Sequence, residues 1–587
     1  MKIISKASMV TLAMTASLTM LVTGCGSGGG NSTGAQGPSN SSGSGSNQPA
    51  ANSGSGGQPV DGGTLTMAQG TKFNDQFIPG MDASLYTANI MDEAFDPLLT
   101  IDKNLNFIPD LASKWTWSAD KKTVTITLAN AKWSDGQPIT SDDILFTINY
   151  LGSKTYNTTL QGQRGYLVAP ILGSDKLLNG SATSFAATGG FKKISNTQFS
   201  LTFTKVDAAV LYSDIASIYP IPEHVLKNVP LASWGNASYD KMPTVVSGPY
   251  TFTQVNAGQS VEMAANPLYF KGKPHISNLV IKTASPDVVP GLLANGQVQY
   301  VLNGLQPTDV AKLKQIPGVV VNTPPGNNYT YLGMKLKQVP EFQNVKFRQA
   351  IEYGMDRQAM IDGILKGLGV PENGPVPPVS SVAATAANGL NPYNYDPQRA
   401  KTLLTSIGYK MGSNGYFIDP LTGKEATFTL SYNSGDPSVQ AQAVAIQSDL
   451  KKIGIHVVLN SPLDFNTLAK RVETDDKSIQ MWLLGWYFGS YVDPRQLWLS
   501  TAAFNFNRWV DPKSDAMINQ TWGAQAFDPA YRKQALIKWQ LYVNQQLPVN
   551  FLYSSDNIYA YGNKLHIPAN DWSAQGPLNI QDWWLSN

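Results

Sequence analysis

The sequence predicts an α/β fold distributed over several domains, and three observations carry that expectation. The chain has 587 residues, well beyond the roughly 150 residues of one domain. From Gly62 onward, strand-like and helix-like segments alternate. In the second half, strands over 427–432 and 455–460 flank a helix with the apolar stripe Val439, Ala443, Ile446, Leu450 and Ile453. That is a βαβ pattern, so this half carries an α/β lobe.

The other elements follow in order. Residues 63–67 open the folded body as a strand, and 90–99 read as a helical or mixed segment. Residues 123–128 alternate Thr with Val, Ile and Leu, the period-two pattern of a strand with one buried face. Trp133-Ser134-Asp135-Gly136 is a turn signal. After Thr140, Asp142 and Asp143 stand in the first turn of a helix, where carboxylates favour the positive end of the dipole. The Ser/Ala/Thr/Gly-rich stretch 180–190 reads as a surface loop. Phe347, Ala350, Ile351 and Gly354 share one helical face, and Asp356 caps the next helix, whose stripe is Ile361, Ile364 and Leu365. Asp396-Pro397 starts another helix that Gly408 closes, and Gly454 closes the helix of the βαβ unit.

Composition excludes several classes of function. Lys and Arg (43) balance Asp and Glu (41), so no basic excess points to nucleic acid. The only cysteine is Cys25, which leaves the folded body without disulfides, Cys-ligated zinc or a thiol nucleophile. His224, His275, His456 and His566 are far apart in sequence, with no HExxH pair. There is no GxSxG elbow, and helix capping explains Asp142/Asp143 without catalysis. No enzyme activity, metal or cofactor is expected.

The N-terminus reads as an address. Lys2 and Lys6 precede an apolar stretch from Met9 to Val22, shorter than the ~20 residues of a spanning helix. Leu21-Val22-Thr23-Gly24-Cys25 resembles a bacterial lipobox, which implies a signal peptide over 1–24 and lipidation of the Cys25 thiol. Residues 25–60 are mostly Gly, Ser, Asn, Gln, Ala and Pro. Such a segment buries too little apolar surface to offset its ordering entropy and is expected to be a disordered tether with a reach of roughly 35 Å.

The folded body resembles the family 5 extracellular solute-binding proteins, which include oligopeptide-, dipeptide- and nickel-binding members. The matching segments occur in family order: Pro109-Asp110-Leu111-Ala112-Ser113-Lys114-Trp115, Lys132-Trp133-Ser134-Asp135-Gly136-Gln137-Pro138 with Asp142-Asp143, Ser247-Gly248-Pro249-Tyr250, and the nine residues Asn266 to Pro274. Phe347-Arg348-Gln349-Ala350-Ile351 with Asp356-Arg357 continues the series, and Gly485-Trp486 with Asp493-Pro494 ends it.

The resemblance implies a two-lobed, periplasmic-binding-protein-like α/β fold (type II, cluster C type) with an extra subdomain inserted in the first lobe. Expected boundaries are 61–100, 237–325 and 550–587 for the first lobe, 101–236 for the insertion, and 326–549 for the second lobe. It further implies an extracytoplasmic, membrane-anchored monomer that captures a solute, oligopeptides first, between its lobes. The solute would pass to the permease and ATPase subunits of an ABC importer. An oligosaccharide, a metal complex or an opine-like solute are alternatives, as is a receptor that does not transport.

The expected ligand-binding residues are Tyr86, Ser247, Tyr250, Trp486, Tyr487, Phe488, Ser490 and Asp493. In peptide-binding relatives, ligand backbone pairs as an added strand with both lobes, and 83–86 aligns with one such strand. Those relatives commonly carry an Asp a few residues after the Trp to meet the ligand ammonium. Here Gly489 and Ser490 stand instead, and the next carboxylate is Asp493. Lys335 occupies a position where relatives often have Asn, and reads as a solvated rim lysine.

Overall fold

A computed structural model of the protein describes residues 58–82 and 84–586. The expected signal peptide, Cys25 and most of the expected tether lie outside the described residues.

Three sheets organise the chain. The first has seven strands in the order Val319–Asn322, Tyr559–Gly562, Tyr300–Val301, Thr64–Gln69, Asn278–Thr283, Ser260–Ala265 and Tyr250–Asn256. Its opening strand is central, pairing in parallel with Asn278–Thr283 on one side and Tyr300–Val301 on the other. The second sheet has six: Gly369–Pro371, Asn550–Ser555, Asn328–Met334, Met481–Tyr487, Thr427–Ser431 and His456–Leu459. A four-stranded antiparallel sheet (Ala112–Trp117, Thr123–Leu128, Gln198–Thr202, Phe191–Ser195) lies in the insertion.

Local chemistry accounts for many of these elements. In Thr123–Leu128, Val124, Ile126 and Leu128 are buried while the threonines between them are partly exposed. Thr140 and Asp143 form a reciprocal capping box on the helix Ser141–Gly152. In the βαβ unit, Thr427–Ser431 and His456–Leu459 pair in parallel around the helix Pro437–Lys452, which Asp436 caps through the Ser438 amide. Gly408 and Gly454 take the left-handed conformation that closes their helices.

One hydrophobic core runs from Leu65 through the inserted sheet to Trp583, so insertion and first lobe are packed as one body. A second core, from Tyr329 to Tyr553, belongs to the other lobe. Two chain segments cross between the lobes side by side, where the Asn557 amide donates to the Pro324 carbonyl (2.9 Å) and Pro325 bridges to Asp556.

Three expectations need correction. Strand Asn550–Ser555 pairs with Asn328–Met334 in the second sheet, so the return to the first lobe comes at about 556 and not at 550. The stretch 180–190 is not merely a loop: Phe185–Thr188 forms a helical turn that Ser184 caps, and Phe185 is buried in the core. Residues 85–91 form a helix capped by Ser84, not a strand, because the Ser84 hydroxyl accepts from the Thr87 amide.

Candidate functional site: the cleft between the lobes

A cavity of about 900 Å³ separates the first and second sheets and is walled by both lobes and the crossing segments. It falls within the range typical of small-ligand clefts, about 300–1,000 Å³. The lobes also touch beside it. Arg495 in the second lobe reaches Asp207 of the insertion (2.6 Å) while holding Asp493 through Nη2 (2.5 Å). Tyr491 stacks on Tyr212 with 5.4 Å between centroids and carries the Arg532 guanidinium on its ring. Near the crossing segments, Ser490 Oγ donates to Gln575 Oε1 (3.2 Å), and Gln575 Nε2 donates to the Phe488 carbonyl (3.1 Å).

Of the residues singled out from sequence, Tyr86, Tyr487, Phe488 and Ser490 line the cavity. Tyr487 is 49% exposed, leaving its ring available to a ligand. Trp486, by contrast, is buried, stacked on Phe506 and edge-on to Phe504. The strand Met481–Tyr487 lies within its sheet and is covered on both faces over most of its length. Period two therefore does not separate cleft from core there, and Trp486 belongs to the core.

Asp493 is committed to Arg495 and stands outside the cavity wall. Ser247 and Tyr250 are buried away from it as well. Ser247 Oγ accepts from the Asp96 amide (2.9 Å), and Tyr250 donates to the Ile276 carbonyl (3.1 Å). Lys335 is not a rim residue. It is 1% exposed, with Nζ on Asp475 (2.7 Å) and on the Val472 carbonyl.

The motif residues are largely structural. A Cβ on Gly248 would come within 2.5 Å of the Ala94 backbone, so glycine permits that close approach. Asn266 ties the same turn, donating to the Gly248 carbonyl (2.9 Å) and accepting from the Leu268 amide. From Asn266–Pro274 also come Tyr269, which donates to Asp96 (2.9 Å), and Lys271, which pairs with Asp110 (2.6 Å) and Asp96 (3.1 Å). Arg348 and Arg357 serve the second lobe, where both satisfy buried carbonyls and Arg357 pairs with Glu352 (3.0 Å).

Sequence reasoning missed the acids of the cleft. Asp92, Glu93, Asp96 and Asp110 line it from the first lobe, Asp436 from the second, and Asp556 from a crossing segment. Asp92 is solvent-accessible but ringed by protein within the cleft. Loss of hydration there raises its carboxyl to about 6, against the Tyr219 hydrogen bond that opposes the rise. Burial, with repulsion from Asp92 and Asp96, raises Glu93 to about 8. Burial and Asp96 raise Asp110 to about 7 despite Lys271, and burial alone raises Asp556 to about 6. Asp436 caps the helix Pro437–Lys452, and nothing in one sequence says that this cap opens onto a cleft.

Residues 106–508, more than half the chain, match the bacterial extracellular solute-binding proteins, family 5 Middle. The chain belongs to that family. Family 5 members act outside the cytoplasm as solute-binding proteins. Among the described residues, no helix is long and apolar enough to cross a membrane.

Oligopeptide-binding protein AppA of Bacillus subtilis is 25% identical over 549 residues, covering 91% of this chain and 93% of that protein. Oligopeptide-binding protein OppA of Lactococcus lactis is 24% identical, covering 85% and 87% respectively. Among solved structures, AppA from Bacillus subtilis in complex with a nonapeptide superposes with a TM-score of 0.68 at 22% identity, covering 90% of this chain and 100% of that one. Lactococcal OppA, complexed with an endogenous peptide in the closed conformation, gives 0.71 at 21% identity, covering 89% and 100%. These superpositions establish the two-lobed periplasmic-binding fold.

Proposed function

We propose that this protein captures peptides in its interlobe cleft and delivers them to an ABC importer, held at the outer face of the membrane by lipid on Cys25. The observation that carries the reading is the cavity of about 900 Å³ walled by both lobes, in a chain whose full-length relatives include proteins named for oligopeptide binding. A ligand touching both walls favours the closed arrangement by its differential affinity for that state. The importer's membrane subunits then discriminate closed from open. Tyr86 and Tyr487 on opposite walls offer aromatic faces to side chains of varied sequence, and strand-like pairing of ligand backbone supplies sequence-tolerant affinity.

Calorimetry on purified protein with a peptide panel and a cello-oligosaccharide panel tests the reading. Saturable peptide binding supports it, and sugar binding without any peptide response overturns it. The anchor is tested separately: Cys25→Ser is expected to move the protein from the membrane fraction to the medium, and continued membrane retention counts against lipidation.

A further inference from the structure

The charge balance of the cleft points to the kind of peptide it takes. Six carboxylates line the cavity (Asp92, Glu93, Asp96, Asp110, Asp436 and Asp556), against one cationic side chain, Lys271. Lys271 is already engaged by Asp96 and Asp110. Even so, Asp96 Oδ2 and Asp110 Oδ1 are buried without a hydrogen-bond partner among the described residues. On the opposite wall Gln442 is 4% exposed, and its Oε1, an acceptor, is likewise unpartnered.

Buried acceptors and carboxylates without donors carry an unfavourable free energy that a donor entering the cleft would relieve. Gln442 is an observation independent of the acids, and it calls for the same thing, a hydrogen-bond donor. A group with several N–H donors and a positive charge satisfies both. Anionic ligands would meet acids on all three walls and, among the lining residues, one cation that is already engaged.

Resting on the peptide reading above, we propose that this cleft selects basic peptides. Glu93 and Asp92 meet ammonium or guanidinium groups from the first lobe, and Asp436 with Gln442 does so from the second. This also answers the absence of an acid at Gly489 and Ser490: the negative charge of the site is supplied from other elements. The groups facing Glu93 are Asp92 and Asp96, with Tyr250 and Tyr300 on the strands behind and Tyr269 in the turn after Ser260–Ala265. Since burial with Asp92 and Asp96 holds Glu93 up at about 8, an arriving cation releases a proton near neutral pH.

The test is calorimetry on the full chain in detergent with three pentapeptides, Ala-Lys-Ala-Arg-Ala, Ala-Gln-Ala-Gln-Ala and Ala-Glu-Ala-Glu-Ala. The basic peptide is expected to bind about tenfold or more tighter than the neutral one, the worth of one added charge-assisted hydrogen bond, with the acidic peptide weakest. In Glu93→Gln and in Asp436→Asn, the basic-to-neutral affinity ratio falls about fivefold or more. Both changes keep side-chain shape, and Asn at 436 still caps its helix. Repeating the titration at pH 7 in phosphate and in Tris, which differ in ionisation heat, reports proton release with the basic peptide and less of it in Glu93→Gln. Equal affinity for all three peptides, or a ratio unchanged in both variants, overturns the inference while leaving the peptide reading intact. Failure of every peptide to bind overturns the peptide reading and this inference with it.

Discussion

The charged groups buried in the second lobe and those along the cleft wall of the first lobe, each set including motif residues, are balanced differently. In the second lobe, Arg357 stands against Glu352 and Glu372, and the Arg348 guanidinium lies among backbone carbonyls. Their donors are spent on the protein itself. Arg348 reaches the carbonyls of Phe342 and Leu547, Arg357 those of Phe551 and Tyr393, and Glu372 accepts from the amides of Asn373 and Gly374. In the first lobe, Lys271 pairs with Asp96 and Asp110 and Arg164 acts on Asp92 through space, two cations among the four acids Asp92, Glu93, Asp96 and Asp110. The balanced network is closed off in a core, and the unbalanced one opens onto the cleft. An uncompensated charge in a low-dielectric site is destabilising, so the surplus acids of the first lobe are held partly as neutral carboxyls, and the proposal above has a basic ligand complete the set.

The largest expected effect sharpens the balanced side. Arg357→Ala removes the partner of the fully buried Glu352 and also orphans several carbonyls. Loss of one member of a buried pair typically costs about 3–5 kcal/mol, and urea unfolding of the full chain should show a loss of that order. Lys271→Met probes the other network and should cost less, about 1–3 kcal/mol at pH 8. Its side chain is a quarter exposed, and Asp96 and Asp110 can relax by taking up protons. The loss should therefore shrink toward pH 5. A cost for Lys271→Met that equals that of Arg357→Ala and does not vary with pH would break the comparison.

What was legible in the sequence divides along the same line. Period two marked Thr123–Leu128, and Asp396, Gly408 and Gly454 marked helix ends, because capping and side-chain alternation are local effects within a few residues. The family segments located residues such as Gly248, Tyr269 and Arg357, whose duty is to hold turns and buried carbonyls. A motif of that kind reports what the fold requires. The cleft acids come from positions as distant as Glu93, Asp436 and Asp556, and only the folding of two lobes around one cleft brings them to one space. Trp486 shows the converse. It sits in a recognisable segment, yet Phe506 stacks on its ring and Phe504 meets it edge-on. That packing puts Trp486 in the core, a consequence of contacts from a later segment that the strand's own residues do not reveal.

The smallest expected effect isolates the unbalanced network without emptying it. Glu93 is held well above its ordinary value, at about 8. Between about 4.5 and 8 the folded state thus binds more protons at this site than the unfolded chain does. Stability contributed through Glu93 then falls as pH rises across that window, since the slope follows the difference in bound protons. Glu93→Gln removes the ionisation and keeps the shape. Near pH 4, where Glu93 is protonated in both states, the variant should match the parent in urea unfolding. At pH 8 it should be more stable by about 1 kcal/mol, a modest share of the full shift because water in the open cleft screens the charge. A basic peptide at saturation should erase that gap or reverse it, since the parent then gains a partner that the variant cannot use. A variant equally stable at both pH values would mean that Glu93 is ionised without strain. The first-lobe network would then be no less balanced than the second.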